Sequence, residues 1–205
     1  MHNLKDIKSS IADMSKLAFS MWQLTFKTFM EHDLDILSKV LREELRLNDL
    51  EKEITSDLIE LNRITQEEQE KSKVMIYMDI AGDLELIGDY CKDILERVQI
   101  KIEEKLLFSD EAVKEYSELY RKIEEVLDGI VCALEKDKLT LVKEVVKNDK
   151  DFDNLVEEYR RRHDQRLIDG ICSPLACNMF LNMLDFTAQV FHHTKAIAKN
   201  ILKLK

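Results

Sequence analysis

Three acidic residues follow one another at intervals of four in the middle of the sequence: Glu85, Asp89 and Asp93. Residues four apart lie above one another on a helix, so these side chains form one row. Stacked carboxylates repel each other unless a cation neutralises them, and Mg²⁺, Mn²⁺, Ca²⁺ and iron all bind carboxylate oxygens. The row therefore indicates a metal site, although a solvated acidic face would show the same spacing.

Gly88 lies inside this acidic row. A glycine in the interior of a helix costs about 1 kcal/mol relative to alanine and usually marks the close approach of another element. We therefore expect a second helix to pack against the row and to share its carboxylates.

A weak internal repeat supplies further acidic residues. Glu44 and Asn48 lie 105 residues before Asp149 and Asp153, and each pair has the helical spacing of four. If the helices of one half pack as neighbours, two acidic rows meet and supply several oxygens. Such a set suits a hard metal ion and is unusual for zinc.

The repeat of the first row is less acidic than the row itself. Asp185, Gln189 and His193 lie 100 residues after its three members. Asp185 is the one certain carboxylate of the three, so any metal affinity there is expected to be lower or to differ in preference. His192 and His193 could act as ligands, but histidines on a helix flank also occur as polar edge residues.

Motifs for catalysis are missing from the sequence. No His follows a Glu by three residues, so the Glu-x-x-His pair of ferritin-like di-iron bundles does not occur. There is also no glycine-rich phosphate loop and no nucleophile elbow. We therefore expect that the protein is not an enzyme.

The four cysteines, Cys91, Cys132, Cys172 and Cys177, form no C-x-x-C pair. All lie in apolar helical segments, where cysteine behaves as a small hydrophobic residue. We therefore expect neither a disulfide framework nor a zinc site among them.

Charge and hydropathy limit the partners and the location. The 205 residues carry 31 Lys and Arg against 41 Asp and Glu, a net charge of −10, which argues against nucleic-acid binding and favours metal cations or basic surfaces.

No apolar stretch reaches the roughly 18 residues of a membrane-spanning helix. The first ten residues lack the features of a secretory signal. We expect the mature chain to begin at Met1 and to be cytosolic.

One Pro and four Gly leave few helix breakers, so the helix boundaries have to be read from capping residues. The predicted N-caps of the second to sixth helices are Asp33, Thr65, Ser109, Asp137 and Ser173. The fifth helix is predicted to end at Gly170, and Pro174 suits the first position of the sixth. The long third helix would bury the stripe Ile80, Leu84, Ile87, Cys91, Ile94 and Val98.

Short connections between these helices force neighbours to run antiparallel. The predicted fold is therefore all-α, an elongated six-helix antiparallel bundle made of two three-helix repeats. The first repeat would cover residues 1–106 and the second residues 107–205.

Segment 83–89 reads D-L-E-L-I-G-D and resembles the L-E-R-I-G-D signature of the PhoU family of phosphate-signalling proteins, with Leu86 in place of Arg. Residues 163–172 resemble a second segment, h-x-x-R-L-x-x-G-x-C, of the PhoU-like cytosolic domains of sodium/phosphate cotransporters. Residues 105–112 resemble the link between the repeats in those domains. Family members are built from two three-helix repeats, each with an acidic E/D-x-x-x-D motif.

The resemblance implies a cytoplasmic regulator of inorganic phosphate transport and phosphate homeostasis that acts through protein contacts. Its partner would be a phosphate transporter, of the ABC type or a sodium/phosphate cotransporter, or a sensor kinase at the membrane. The protein would then lie at the inner membrane through its partner. We also expect a homodimer.

The resemblance further implies metal ions at the acidic motifs, with iron, manganese, magnesium, calcium or zinc as candidates. The expected ligands are Glu85, Asp89 and Glu44 at a first site, Asp185, Asp149 and Asp153 at a second site, and Asp93 and His193 as additional candidates. The alternative is a metal-independent helical scaffold or adaptor, unrelated to phosphate, whose acidic rows keep a long bundle solvated.

Overall fold

Seven helices account for most of the residues that the computed structural model describes, which are 3–147 and 149–204, without the side chains of 147, 149 and 150. They are α1 (Leu4–Glu31), α2 (Leu34–Ile64), α3 (Glu68–Glu103), α4 (Asp110–Lys136), α5 (Thr140–Lys147), α6 (Asp149–Ile168) and α7 (Pro174–Lys203). The all-α prediction is therefore confirmed. None of the described helices combines the length and the apolar character needed to span a membrane.

The helices pack in two groups that meet along α3 and α7. Helices α1, α2 and α3 contact one another in all three pairs, and α7 contacts α4, α5 and α6. The largest helix contact joins α3 to α7, and α1 also packs against α4. The predicted boundary between residues 106 and 107 falls in the link between α3 and α4.

Three of the predicted N-caps are confirmed. The side chain of Asp33 accepts a hydrogen bond from the Asp35 backbone N–H at 2.8 Å. Ser109 and Ser173 each accept one, at 3.2 Å, from the backbone N–H three residues later. These bonds satisfy N–H groups that have no partner within the helix. Pro174 occupies the first turn of α7, where a missing N–H carries little penalty.

Thr65 is the predicted N-cap of the third helix because residues 65–68 read T-Q-E-E, the pattern of a capping box, and this prediction is wrong. The Thr65 backbone N–H still bonds to the Leu61 carbonyl at 3.0 Å, so this residue ends α2 and does not start α3. Helix α3 begins after Glu67, which makes no side-chain capping bond. A favourable local motif was therefore outweighed by the continuation of the preceding helix.

The prediction that Asp137 caps the fifth helix is also wrong. Asp137 ends α4 in the left-handed conformation with φ of 57°, and the next helix begins at Thr140. The region predicted as one fifth helix is described as α5 and α6, on either side of position 148, which lies outside the described residues.

The core follows the predicted stripe of α3. Its six members, Ile80, Leu84, Ile87, Cys91, Ile94 and Val98, are all 0% exposed. They face α1 and α2 on one side and α7 on the other, since α3 packs against all of these helices. The acidic residues of α3 therefore lie next to a fully buried surface.

Helix α2 packs closely against α3 at Gly88. A Cβ at this position would lie 2.3 Å from Cδ2 of Leu47 and 3.5 Å from Cε of Met21. Leu47 is itself fully buried, so its side chain has little room to move. The close neighbour that the sequence predicted is therefore a leucine side chain of α2.

The two glycines of α3 form a matched pair for a stability test, because a Cβ at Gly82 would meet no atom within 4 Å. We expect Gly82→Ala to raise the free energy of unfolding by about 0.5–1 kcal/mol. Gly88→Ala gains the same helix propensity but overpacks the core by about 1–3 kcal/mol, so we expect a net loss. Urea unfolding measures both, and equal stabilisation by the two variants would contradict the packing described for Gly88.

Candidate functional site

The predicted first site lies where α2 packs against α3, and Glu44 is at its centre. Glu44 is only 5% exposed. Its Oε1 accepts two hydrogen bonds of 3.1 Å, one from Nζ of Lys92 on α3 and one from Nδ2 of Asn48 on its own helix. A buried carboxylate requires such donors, because removal from water disfavours its charge.

Asp89 and Glu85 of α3 lie beside Glu44, so the structure brings together the three residues predicted for the first site. The Asp89 carboxyl lies within hydrogen-bonding reach of the Glu44 carboxyl. Burial raises the pKa of Asp89, and the charge of Glu44 acts in the same direction while Lys92 opposes it. Two acidic groups this close repel each other when both are ionised.

Glu85 belongs to the same cluster and brings in a residue that the sequence analysis missed. Burial raises the pKa of Glu85, and the charges of Asp89, Glu51 and Glu44 raise it further. Glu51 lies seven residues after Glu44 on α2, which is the spacing of two helical turns. That spacing could have identified it. We call Glu44, Glu51, Glu85 and Asp89 the acidic cluster.

The donor atoms of the acidic cluster suit a hard cation. Besides its carboxylates, the cluster contains Oδ1 of Asn48, which is buried and has no hydrogen-bond partner among the described residues. The bond from Nδ2 to Glu44 fixes which end of this amide is the oxygen. Among the described residues, however, no three carboxylates offer ligand atoms within 4.8 Å of one another. A bound ion would therefore need the side chains to draw together.

Asp93, the additional candidate on α3, lies at the margin of this site. Burial raises the pKa of Asp93, and the charge that contributes most is that of Glu96. Arg97 and Lys92 oppose the shift. Asp93 affects the pKa of Asp89 through its charge, but it is not among the groups that shift Glu85.

Two of the residues predicted for the second site lie beside basic side chains of the protein itself. Asp185 forms a close ion pair with Arg160 of α6. Asp153 lies 3.7 Å from Nε2 of His192. Both carboxylates are about half exposed, with side-chain exposures of 53% and 49%. The side chain of Asp149 lies outside the described residues.

His193, the other additional candidate, contacts neither Asp153 nor Asp185 by any described hydrogen bond. Its Nδ1 bonds to Oδ1 of Asp83 on α3 at 2.8 Å, and its ring stacks on Tyr90 with centroids 5.8 Å apart. His193 therefore joins α7 to α3 and lies between the two helix groups.

Comparisons with known proteins agree with this fold. Residues 11–98 match the PhoU domain family model, and this range contains all four members of the cluster. The phosphate-specific transport system accessory protein PhoU homolog 1 of Thermotoga maritima is 30% identical over 95 residues, or 46% of this chain. The matched part spans only 38% of that relative's length.

Two solved structures share the fold of nearly the whole chain. The crystal structure of PhoU from Pseudomonas aeruginosa superposes with a TM-score of 0.91 at 17% identity, covering 98% of this chain and 96% of that one. The phosphate transport system regulatory protein PhoU from Streptococcus pneumoniae has a TM-score of 0.85 at 14% identity, covering 97% and 93%. At such low identity these likenesses show the fold.

Because the carboxylates of the acidic cluster repel one another, we expect that removing their charge stabilises the fold. The pKa of such a carboxyl is higher in the folded state than in the unfolded state. As the pH rises from the unfolded-state pKa to the folded-state pKa, the carboxyl therefore destabilises the fold increasingly. Glu85→Gln with Asp89→Asn is therefore expected to increase the free energy of unfolding in chelator at pH 7 by about 0.5–1 kcal/mol, since like-charge pairs are removed.

Urea unfolding in the presence of EDTA measures this difference. The matched control is Glu53→Gln with Glu60→Gln, because both residues are exposed on α2 and carry the same total charge. The gain should shrink as the pH is lowered towards 4, where the wild-type carboxyls protonate. A double variant less stable than wild type at pH 7 would show that the cluster is not repulsive.

Proposed function

We propose that this chain is a member of the PhoU family and that it regulates the transport of inorganic phosphate and phosphate homeostasis. The observation that carries the proposal is the PhoU domain match over residues 11–98 together with a PhoU fold over 98% of the chain. The two relatives whose names state a role are an accessory protein and a regulatory protein of phosphate transport systems. Regulation by protein contacts agrees with the expectation that the chain is not an enzyme.

The proposed partner is the phosphate transport machinery at the membrane, either a transporter of the ABC or sodium/phosphate cotransporter type or a sensor kinase. The protein would act from the cytoplasm and reach the inner membrane through this partner. The protein would regulate its partner by restraining phosphate uptake or signalling. A homodimer of two such bundles is part of the same proposal.

The acidic cluster is the proposed metal site of this regulator. Glu44, Glu85 and Asp89 would hold a hard cation, with Asn48 Oδ1 as a neutral oxygen ligand, which is supported by the buried, unpartnered state of that oxygen. When bound, the ion would neutralise the repulsion between carboxylates of α2 and α3. Lys92 now supplies part of that neutralisation, so the ion has to compete with its ammonium group.

The second site, with Asp149, Asp153 and Asp185 as ligands, is proposed to be the weaker one. Arg160 already pairs with Asp185, and an ion would have to displace its guanidinium. Gln189 stands at the position that corresponds to Asp89, so one carboxylate is also missing. A cation is therefore expected to bind at the acidic cluster first.

Phosphate uptake tests the regulatory role directly. Cells that lack the gene are expected to take up more labelled phosphate in phosphate-rich medium than wild-type cells, because a restraint on uptake or signalling is lost. A plasmid copy of the wild-type chain should restore normal uptake, whereas Glu85→Gln with Asp89→Asn should restore it only in part. The Glu53→Gln, Glu60→Gln pair serves as the control, and unchanged uptake in the deletion strain would overturn the proposal.

Metal addition tests the proposed site on the purified protein. After treatment with chelator and dialysis, millimolar Mn²⁺ is expected to raise the melting temperature of the wild type by about 3 °C or more, since an ion that binds only the folded state stabilises it. The variant with Glu85→Gln and Asp89→Asn should not respond, whereas the Glu53→Gln, Glu60→Gln control should respond like wild type. An equal shift in all three proteins would place the ion elsewhere.

A further inference from the structure

Three side chains of metal-ligating type meet where α6 ends and α7 begins. They are His163 of α6, Cys172 of the link between the helices, and Cys177 in the first turns of α7. One ligand atom of each lies within 4.8 Å of the ligand atoms of the other two. This is the one such group of three among the described residues, and none of its members belongs to the acidic cluster.

His163 is held in place and has one ring nitrogen without a partner. The residue is 1% exposed, and its ring stacks on Phe180 with centroids 4.1 Å apart. Its Nδ1 accepts a hydrogen bond of 3.3 Å from Nε of Arg166, and Arg166 is in turn paired with Glu115. Its Nε2 is buried and has no hydrogen-bond partner among the described residues. Such a buried polar atom is destabilising when nothing binds it.

The imidazole is in the charge state that binds metals. Burial lowers the pKa of His163 to about 4, and the charge of Arg166 acts in the same direction. The ring is therefore neutral at physiological pH. Because Nδ1 accepts a hydrogen bond from Arg166, the ring proton lies on Nε2, and metal binding there would require that proton to move to Nδ1 and the Arg166 guanidinium to turn away from it.

The two thiols are free and lie next to each other. Cys172 and Cys177 are both reduced, and their side chains are within hydrogen-bonding reach. Burial raises the pKa of the Cys177 thiol to about 11, so the thiol keeps its proton unless a metal displaces it. The N-terminus of α7 and the guanidinium of Arg166 favour the thiolate form once an ion is present.

We propose that His163, Cys172 and Cys177 bind a thiophilic divalent cation, Zn²⁺, which links α6 to α7. Two thiolates neutralise the charge of the ion, as a buried site requires, and thiolate with imidazole is a donor set that zinc prefers over magnesium or calcium. Zinc bonds of about 2.3 Å to sulfur and 2.0 Å to nitrogen place tetrahedral ligand atoms roughly 3.5–3.8 Å apart. The observed separations of up to 4.8 Å therefore need to close by only about 1 Å.

The link between α6 and α7 is where an ion would enter and where the backbone can adjust to bring the ligands together. As a whole residue Cys172 is the most exposed of the three, which makes its side the one from which an ion would enter. Gly170 adopts φ of +69° and has no atom within 4 Å of where a Cβ would lie. The fourth position of a tetrahedral ion would be taken by water, since three protein ligands are present.

Cobalt is the probe for this site, because sulfur-to-cobalt charge transfer absorbs in the near ultraviolet and reports thiolate ligands. The full chain, reduced with a phosphine and stripped with chelator, is titrated with Co²⁺ and then with Zn²⁺. We expect the thiolate–cobalt band to saturate with one bound ion and to disappear when Zn²⁺ is added. Cys172→Ser should lose the two-thiolate band, and Cys132→Ser, which removes a partly exposed thiol of α4, should keep it.

Two further variants keep the test decisive. His163→Gln should weaken cobalt binding while leaving the thiols intact. The variant with Glu85→Gln and Asp89→Asn should keep the thiolate band, which separates this site from the metal site of the proposed regulator. Far-ultraviolet circular dichroism confirms that each protein is folded.

Three results would overturn the proposal. They are the absence of a thiolate–cobalt band in folded wild-type protein, an unchanged band in Cys172→Ser, and loss of the band in Cys132→Ser. A chromophoric zinc chelator gives an independent measurement on the wild type alone. Failure of the reduced protein to take any Zn²⁺ from it would also overturn the proposal.

Discussion

Helix α3 has two faces to bury, and the rest of the bundle is arranged around that requirement. One face packs against α1 and α2, and the other packs against α7. Residues at the edges between these faces are only partly solvated, and Glu85 and Asp89 lie at such an edge beside the buried Glu44. The raised pKa values of Glu85 and Asp89 follow primarily from this burial. The packing that stabilises the helix thus also concentrates negative charge.

The acidic residues of the two halves of the chain are neutralised by basic side chains to different extents. The acidic cluster contains four carboxylates, and the ammonium group of Lys92 pairs with one of them, Glu44, so the cluster keeps an excess of negative charge. At Asp185 the guanidinium of Arg160 supplies a cation, which also pairs with Glu157. Arginine is always charged and its donors are fixed in a plane, which makes it a durable substitute for a bound ion. The two regions related by the sequence repeat therefore differ in net charge.

Local sequence predicted the caps well where a side chain alone decides the helix start, as at Asp33, Ser109 and Ser173. It failed at Thr65, because the preceding helix kept that backbone N–H. The acidic row was likewise visible from spacing alone, and the family resemblance supplied Glu44.

The spacing of residues in the sequence could not predict which side chains from different helices contact each other. The role of Lys92 depends on which faces of α2 and α3 meet, and the cysteine spacing gave no sign that His163 lies beside Cys172 and Cys177. The contact between His193 and Asp83 joins positions 110 residues apart and lies within the large interface of α3 with α7. Since this interface supplies core to both helix groups, neither group can open without exposing apolar surface of the other. The two halves are therefore thermodynamically coupled, and we expect them to unfold in one cooperative transition.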